Sequence, residues 1–206
     1  PAPTGNPLSY GNIDEDATGS ITVHKHLHQT GENIVEGDVK DPREIPSDPV
    51  EGVVFTAYPL LVDGEPVDLT DPAAWEGLES LMPGDGTCEA PDGYTLGAGI
   101  EFDATDENGE ETLSGLPLGV YLVCETYAPD GIVETAMPFI VTIPYPYSQG
   151  WIYDVHAYPK NTMAEAPTKT IEEQAGLVAG SEVRFPVTVK VPTLDSASSY
   201  QSFTIT

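Results

Sequence analysis

The run WIYDVHAYPKN at residues 151–161 sets the pattern from which the fold is predicted. Its order of apolar and polar residues is typical of a β-strand, in which every second side chain faces the same way. The face predicted to point to the core carries Trp151, Tyr153, Val155, Ala157, Pro159 and Asn161. Lys160 falls on the other face and is expected to reach solvent. Asn161 is expected inside, where its amide needs a partner because an unpaired buried amide costs roughly 1–3 kcal/mol.

A second strand pattern, SITVHKHLHQ at residues 20–29, places a lysine in an apolar row. Lys25 shares its face with Ile21, Val23 and Leu27, so the alternation predicts that its amine is buried. A buried lysine is unfavourable unless it is neutral, paired or covalently bonded.

The opposite face of this strand pattern carries the histidines His24, His26 and His28, and we expect that face to be solvated. If the strand pairs with the run that holds Lys160, His156 and Asp154 would lie beside these histidines. Binding of zinc or copper by the cluster is then the alternative.

Further strand patterns follow, separated by turns rich in glycine and proline, which number 20 each in 206 residues. They are predicted at residues 52–62, 94–102, 111–113, 118–127 and 136–144. One helix is predicted at residues 69–82, with Thr70 or Asp71 as its N-cap. Residues 30–50 are interpreted as a loop, and the turn at residues 106–109 as an Asn-Gly hairpin, with calcium binding as its alternative. The fold class predicted from these patterns is all-β, a sandwich with one short inserted helix.

The charge balance excludes several classes of partner. The formal net charge is −27, from 34 acidic residues against 7 lysines and arginines. Nucleic acids and anionic membrane surfaces require basic patches, so neither is expected to bind. The sequence has no run of about 20 apolar residues, so no membrane insertion is expected. It also has no nucleophile elbow, phosphate loop or catalytic triad, which predicts a protein that is not an enzyme and has no cofactor.

Cys88 and Cys124 are the two cysteines of the chain. A single pair in an acidic, strand-rich sequence predicts one disulfide and an oxidising compartment. Two free thiols are the alternative.

Two of these segments resemble motifs of a known family. Residues 151–161 resemble the W-x-x-x-V-x-V-Y-P-K pilin motif of Gram-positive sortase-assembled pili, with Ala157 at the second valine. Residues 119–131, GVYLVCETYAPDG, resemble the E-box segment of CnaB-type immunoglobulin-like domains, with Val123 at the leucine. The resemblance implies a CnaB-type β-sandwich.

The resemblance also implies a domain organisation. It covers residues 20–161, which are expected to form an N-terminal pilin domain after a flexible arm at 1–19. Residues 162–168 are interpreted as a linker, and residues 169–206 as the incomplete start of a second immunoglobulin-like domain.

The family pattern assigns roles to three predicted core residues. In such domains a first-strand lysine and an asparagine at the end of the last strand form an isopeptide bond, promoted by an acidic E-box residue. By resemblance the bonded pair is Lys25 and Asn161, and Glu125 promotes the single-turnover reaction. Burial favours the uncharged amine and the uncharged acid that this chemistry needs. A buried Lys25–Glu125 ion pair beside a hydrogen-bonded Asn161 is the alternative.

Lys160 has a separate role by resemblance. The family motif makes it the nucleophile that a class C sortase joins to the next subunit, with the LPxTG-type signal expected beyond residue 206. This implies an extracellular, cell-wall-anchored pilus in which the partners are other copies of the same pilin, the sortase and tip or minor pilins. The alternative is an adhesin module that is not polymerised and binds host glycans or matrix proteins.

Overall fold

The computed structural model describes residues 9–30, 35–78, 81, 87–132 and 134–162, together with residues 168–169 and 187–188. The described residues up to 129 and at 135–162 belong to one compact unit. Its strands are β1 (Gly19–His24), β2 (Val54–Val62), β3 (Glu65–Pro66), β4 (Thr95–Leu96), β5 (Ile100–Glu101), β6 (Glu110–Leu116), β7 (Gly119–Tyr127), β8 (Phe139–Ile143), β9 (Tyr145–Tyr147), β10 (Gly150–Ile152) and β11 (Asp154–Ala157). Its helical segments are a 3-10 turn (Tyr10–Asn12), α1 (Glu36–Lys40) and α2 (Pro72–Trp75).

Two sheets enclose the core of this unit. The first has the order β11-β1-β6, with β1 parallel to β11 and antiparallel to β6. The second has the order β3-β2-β7-β8, and β4 and β5 also pair with β2. Buried apolar side chains come from both sheets: Ile21, Val23, Phe55, Ala57, Leu116, Tyr121, Val123, Val141, Ile143, Val155 and Ala157. The predicted all-β sandwich is confirmed.

The other face of β7 is covered by a second apolar cluster. Its buried members are Leu60, Val67, Leu69, Val120, Leu122 and Cys124, and Trp75 of α2 packs against them. Cys124 forms a disulfide with Cys88, with the two Cα atoms 5.9 Å apart, so the predicted disulfide is confirmed. Because side chains alternate along a strand, Cys124 and Glu125 point to opposite faces of β7.

The helix content differs from the prediction in two places. The helix expected at residues 69–82 is the four-residue α2, N-capped by Asp71, whose side chain accepts from the Ala73 N–H at 2.9 Å. It ends early because Gly77 adopts a left-handed conformation with φ of 94°. Residues 79–80 and 82 lie outside the described part of the chain. Conversely, the loop expected at residues 30–50 contains α1, which is too short to show an apolar period.

The run at residues 151–161 was predicted to be one continuous strand, and this prediction was wrong. It divides into β10, which pairs with β9, and β11, which pairs with β1. The alternation changes phase at the break, so Ile152 is buried whereas Trp151 and Tyr153 are half-buried. Beyond the break the prediction is correct, because the residues on the predicted core face from Val155 to Asn161 are buried.

Two other predictions at the ends of strands were wrong. The strand expected at residues 20–29 ends at His24, and His28 lies in the left-handed region with φ of 58°. The turn at residues 106–109 does not close a hairpin, since β5 pairs with β2 and β6 pairs with β1. Asp106 instead accepts hydrogen bonds from the backbone N–H groups of Asn108 and Glu110, as in an Asx turn.

Residues 9–19, which fall in the expected N-terminal arm, make several packing contacts. Ile13 is buried, and the Tyr10 ring lies 6.2 Å from the ring of Trp75 and 6.1 Å from that of Trp151. Among the described residues, no helix combines the length and apolar character that crossing a bilayer requires.

A second unit includes β12 (Thr168–Lys169) and β13 (Val187–Thr188), which form an antiparallel pair. The other residues of the predicted second domain, and most of the predicted linker, lie outside the described residues.

Candidate functional site

Lys25, Glu125 and Asn161 meet in the interior of the sandwich. The Lys25 ammonium donates to Asn161 Oδ1 at 2.6 Å and lies 3.3 Å from Glu125 Oε2. Lys25 is 0% exposed, the Glu125 side chain 3% and Asn161 6%. The sequence placed all three inside, and the structure brings them within contact distance. A lysine and a carboxylate withdrawn from water in this way depend on each other and on the amide between them.

The backbone at Lys25 is held by residues that precede β6 and β2. Its N–H donates to the Gly109 carbonyl at 2.7 Å, and its carbonyl accepts from the Val50 N–H at 2.9 Å. Gly109 has φ of 74°, and a Cβ atom at that position would collide with the Lys25 carbonyl. Glycine is therefore required at 109 for the close approach that fixes this side of Lys25.

Asn161 is oriented by bonds to both its side chain and its backbone. Its Nδ2 donates to the His26 carbonyl at 3.0 Å, and its backbone N–H donates to the Gln29 carbonyl at 2.8 Å. The bond to His26 fixes which end of the carboxamide faces the lysine, with Oδ1 toward Lys25 and Nδ2 away from it.

Glu125 is tied to the segment that lies opposite Asn161. Its Oε2 accepts from the Ala136 N–H at 2.7 Å. Ala136 and Asn161 form an isolated antiparallel bridge, flanked by bonds from the Met137 N–H to the Lys160 carbonyl and from the Thr162 N–H to the Thr135 carbonyl. The carboxylate and the carboxamide are therefore held by the same pair of backbone segments.

Lys160 points away from this site, as the alternation predicted. Its side chain is exposed, while Pro159 and Asn161 on either side are buried. Its carbonyl accepts from the Met137 N–H at 2.7 Å. The amine is thus presented to solvent from a backbone that is held in place.

The prediction of a solvated histidine face was wrong for His24 and His26, which are 1% and 8% exposed, whereas His28 is exposed as expected. His24 Nε2 lies 2.9 Å from His156 Nδ1, and His24 Nδ1 lies 3.0 Å from Glu110 Oε1. Burial lowers the pKa of His24, while the Glu110 carboxylate acts in the opposite direction. Among the described residues, no group of three or more histidines, cysteines and acids is arranged to hold a metal ion.

Tyr158 explains why His24 is covered. Its ring stacks on His24 with centroids 4.8 Å apart, and its hydroxyl donates to the Asp38 carbonyl of α1 at 3.0 Å. The hydroxyl also accepts from the Arg43 N–H at 3.1 Å, and burial raises the pKa of Tyr158. The tyrosine beside Pro159 and Lys160 therefore anchors the α1 segment over the outer face of β1.

Two contributors to the site are backbone groups that side-chain patterns do not reveal, namely the His26 carbonyl and the Ala136 N–H. Gln29 is a further contributor that the sequence reasoning missed. The sequence held one indication of its role. Pro159 has no N–H, so the strand beside Lys25 lacks a backbone donor that another group must replace.

Comparisons with known proteins show the family to which the chain belongs. Residues 16–162 match the family model described as the N-terminal domain of Gram-positive pilin subunit D1. The chain is 38% identical to the fimbrial subunit type 2 of Actinomyces naeslundii, over 95% of this chain and 39% of that protein.

Two solved structures share the fold. The full-length major pilin SpaD from Corynebacterium diphtheriae is 34% identical with a TM-score of 0.55, over 78% of this chain and 35% of that one. The fimbrial protein FimP from Actinomyces oris is 29% identical with a TM-score of 0.59, over 93% of this chain and 39% of that one. This chain thus spans about two fifths of the fimbrial relatives it matches. With the family model matching residues 16–162, the chain belongs to the family of Gram-positive pilin subunits, as a D1 N-terminal domain.

Proposed function

We propose that this chain is the N-terminal part of a cell-surface pilus shaft subunit, which a class C sortase polymerises through Lys160. We also propose that Lys25 and Asn161 form an intramolecular isopeptide bond that Glu125 promotes. The observation that carries both proposals is the arrangement at residues 160 and 161. The exposed amine of Lys160 is next to the carboxamide of Asn161, which is hydrogen-bonded to the buried Lys25.

The internal bond is a transamidation between two side chains. Proton transfer from Lys25 to Glu125, whose atoms lie 3.3 Å apart, leaves a neutral amine and a neutral acid. The Lys25 Nζ then attacks Cγ of Asn161, forming the Nζ–Cγ bond. Glu125 gives its proton to Nδ2 as the Cγ–Nδ2 bond breaks and takes the second proton from Nζ. Ammonia leaves, the new amide keeps one N–H, and Glu125 ends as the neutral acid.

The surroundings favour this reaction. The two reacting groups are already held together in a dry core, which replaces a collision between separate molecules by a step within one molecule. The product is a neutral amide, so it removes the cost of keeping a buried lysine and a buried carboxylate charged. It also joins the end of β1 to the segment that follows β11.

The external bond uses Lys160. We propose that the sortase holds the threonine carbonyl of another subunit as a thioester with its cysteine. The Lys160 amine attacks that carbonyl, an amide forms and the sortase thiol is released. An exposed side chain on a fixed backbone supports this role, because the enzyme must reach the amine without unfolding the domain.

The test is assembly of the full-length subunit, with its sorting signal, in cells that express the class C sortase. The variant Lys160→Ala should give monomers only, whereas the wild type gives a ladder of covalent polymers that survive denaturing electrophoresis. Lys40→Ala is the matched control, since Lys40 is also an exposed lysine of the same domain. Polymers in Lys160→Ala at the wild-type level would refute the assignment.

A further inference from the structure

The pairing between β1 and β11 ends two residues before Lys25, at Val23. The parallel register runs from Ser20 opposite Asp154 to Val23 opposite Ala157, and the Ser20 N–H donates to the Tyr153 carbonyl at 3.0 Å. Continued by one place, this register sets His24 opposite Tyr158. In a parallel ladder the His24 carbonyl would then accept from the N–H of residue 159. Residue 159 is proline, which has no N–H to donate.

The Gln29 side chain occupies the place of the missing partner. Its Nε2 donates to the His24 carbonyl at 2.8 Å, and its Oε1 accepts from the His26 N–H at 2.9 Å. One side-chain amide thus makes the two bonds that a neighbouring peptide would make to the groups flanking Lys25. The left-handed conformation of His28 lies in the turn that brings Gln29 back alongside the strand end.

Gln29 also holds the second reacting residue. Its backbone carbonyl accepts from the Asn161 N–H at 2.8 Å. The residue therefore contacts the peptides on both sides of Lys25 through its side chain and Asn161 through its backbone. Gln29 is therefore one residue that contacts both the strand end carrying Lys25 and the backbone of Asn161.

We propose that Gln29 is a positioning residue for the bond between Lys25 and Asn161. This inference rests on the proposed function, since it concerns the formation of that bond. Without the Gln29 amide, the His24 carbonyl and the His26 N–H lose these two bonds. The Lys25 backbone keeps its bonds to Gly109 and Val50, but the strand end loses its hold on the side that faces Asn161, so Lys25 can shift relative to the carboxamide. A displacement of about 1 Å can slow a reaction between preorganised groups by about a hundredfold.

The test measures the rate of bond formation separately from stability. Protein is made in a short pulse of cell-free synthesis, the folded fraction is isolated at intervals, and its intact mass reports the loss of one ammonia. The variant Gln29→Met removes both side-chain bonds at similar size. Gln29→Glu keeps an acceptor for the His26 N–H but, as a carboxylate, has no donor for the His24 carbonyl.

Two controls complete the set. Gln149→Met makes the same chemical change at an exposed site. Trp75→Phe removes a hydrogen bond to the Leu69 carbonyl in the second apolar cluster, so it perturbs stability at a remote site. We expect the rate to fall at least about tenfold in Gln29→Met, to fall less in Gln29→Glu, and to stay within about twofold of wild type in both controls.

The outcomes separate the inference from the proposed function. Bond formation at the wild-type rate in Gln29→Met, with only a lower unfolding temperature, would mean that Gln29 stabilises the fold without positioning the reactants. If Gln29→Met does not fold, a wild-type rate in Gln29→Glu overturns the inference equally. If the wild type itself never loses ammonia, the proposed bond fails and the inference fails with it.

Discussion

Lys160 and Asn161 are consecutive residues whose side chains point in opposite directions, one to solvent and one into the core. The lysine is exposed, whereas the asparagine is buried and accepts a hydrogen bond from Lys25 at 2.6 Å. If both proposed bonds form, the link to the next subunit and the link across the domain are attached to neighbouring residues. A pull on the Lys160 amine would then reach β1 through a covalent bond rather than by unzipping β11.

Replacing the acid at the site should stop the internal reaction. Glu125→Gln keeps an oxygen for the Ala136 N–H but has no carboxyl group to move protons, so we expect bond formation to slow by about 10²–10⁴-fold. Intact mass after a fixed incubation measures this. Glu101→Gln, at an exposed glutamate of β5, is the control that should behave as wild type. A full loss of ammonia in Glu125→Gln on the wild-type time scale would contradict the role assigned to the acid.

Removing the carboxamide of Asn161 should lower the stability of the domain far more than removing the neighbouring amine of Lys160. Asn161→Ala prevents a crosslink between residues 136 positions apart. By the chain-entropy relation for crosslinks, this lowers the free energy of unfolding by about 5 kcal/mol. Lys160→Ala changes an exposed side chain and should stay within about 0.5 kcal/mol of wild type. Denaturant unfolding of both variants measures this difference. Equal decreases in the free energy of unfolding would show that Asn161 forms no stabilising crosslink.

The disulfide should stabilise the domain without affecting the bonding site. Its loop spans 36 residues, for which the same relation gives about 3–4 kcal/mol. The double variant Cys88→Ser with Cys124→Ala, which keeps the buried position apolar, should lose about that much in denaturant unfolding. Its intact mass should still report the loss of ammonia, because Cys124 and Glu125 lie on opposite faces of β7. Failure of the ammonia loss in this variant would mean that the two sites are coupled.

His24 should make the domain less stable in mild acid. Its pKa is lowered from 6.5 in the folded protein, chiefly by burial, with His156 and His26 acting in the same direction and Glu110 opposing them. The unfolded chain therefore binds the proton first as the pH falls below 6.5, and stability declines from there toward the folded pKa. Unfolding free energies at several pH values should fall less steeply in His24→Gln than in wild type. Carboxylates that titrate in both proteins cancel in this comparison, and identical slopes would exclude His24 as a source.

The burial of Lys25 and Asn161 could be predicted because side-chain alternation within one strand is a local property. The change of phase at Tyr153, between β10 and β11, could not be predicted, since the break depends on where the two strands find different partners. The burial of His24 likewise follows from Tyr158 and α1, which are distant in sequence and arranged only in the folded chain. The role of Gln29 could be predicted only in part. The sequence shows the proline at 159, but the need for a replacement donor follows only when the register of β1 and β11 is known.

The intact mass of the purified, unreduced protein, followed by peptide mapping, decides whether the side chains of Lys25 and Asn161 are joined. We expect a mass below that calculated from the sequence by one ammonia molecule and two hydrogen atoms, and a branched peptide that joins the segment containing Lys25 to the segment containing Asn161. A mass that lacks only the two hydrogens of the disulfide, with unmodified peptides around both residues, would contradict the proposed bond.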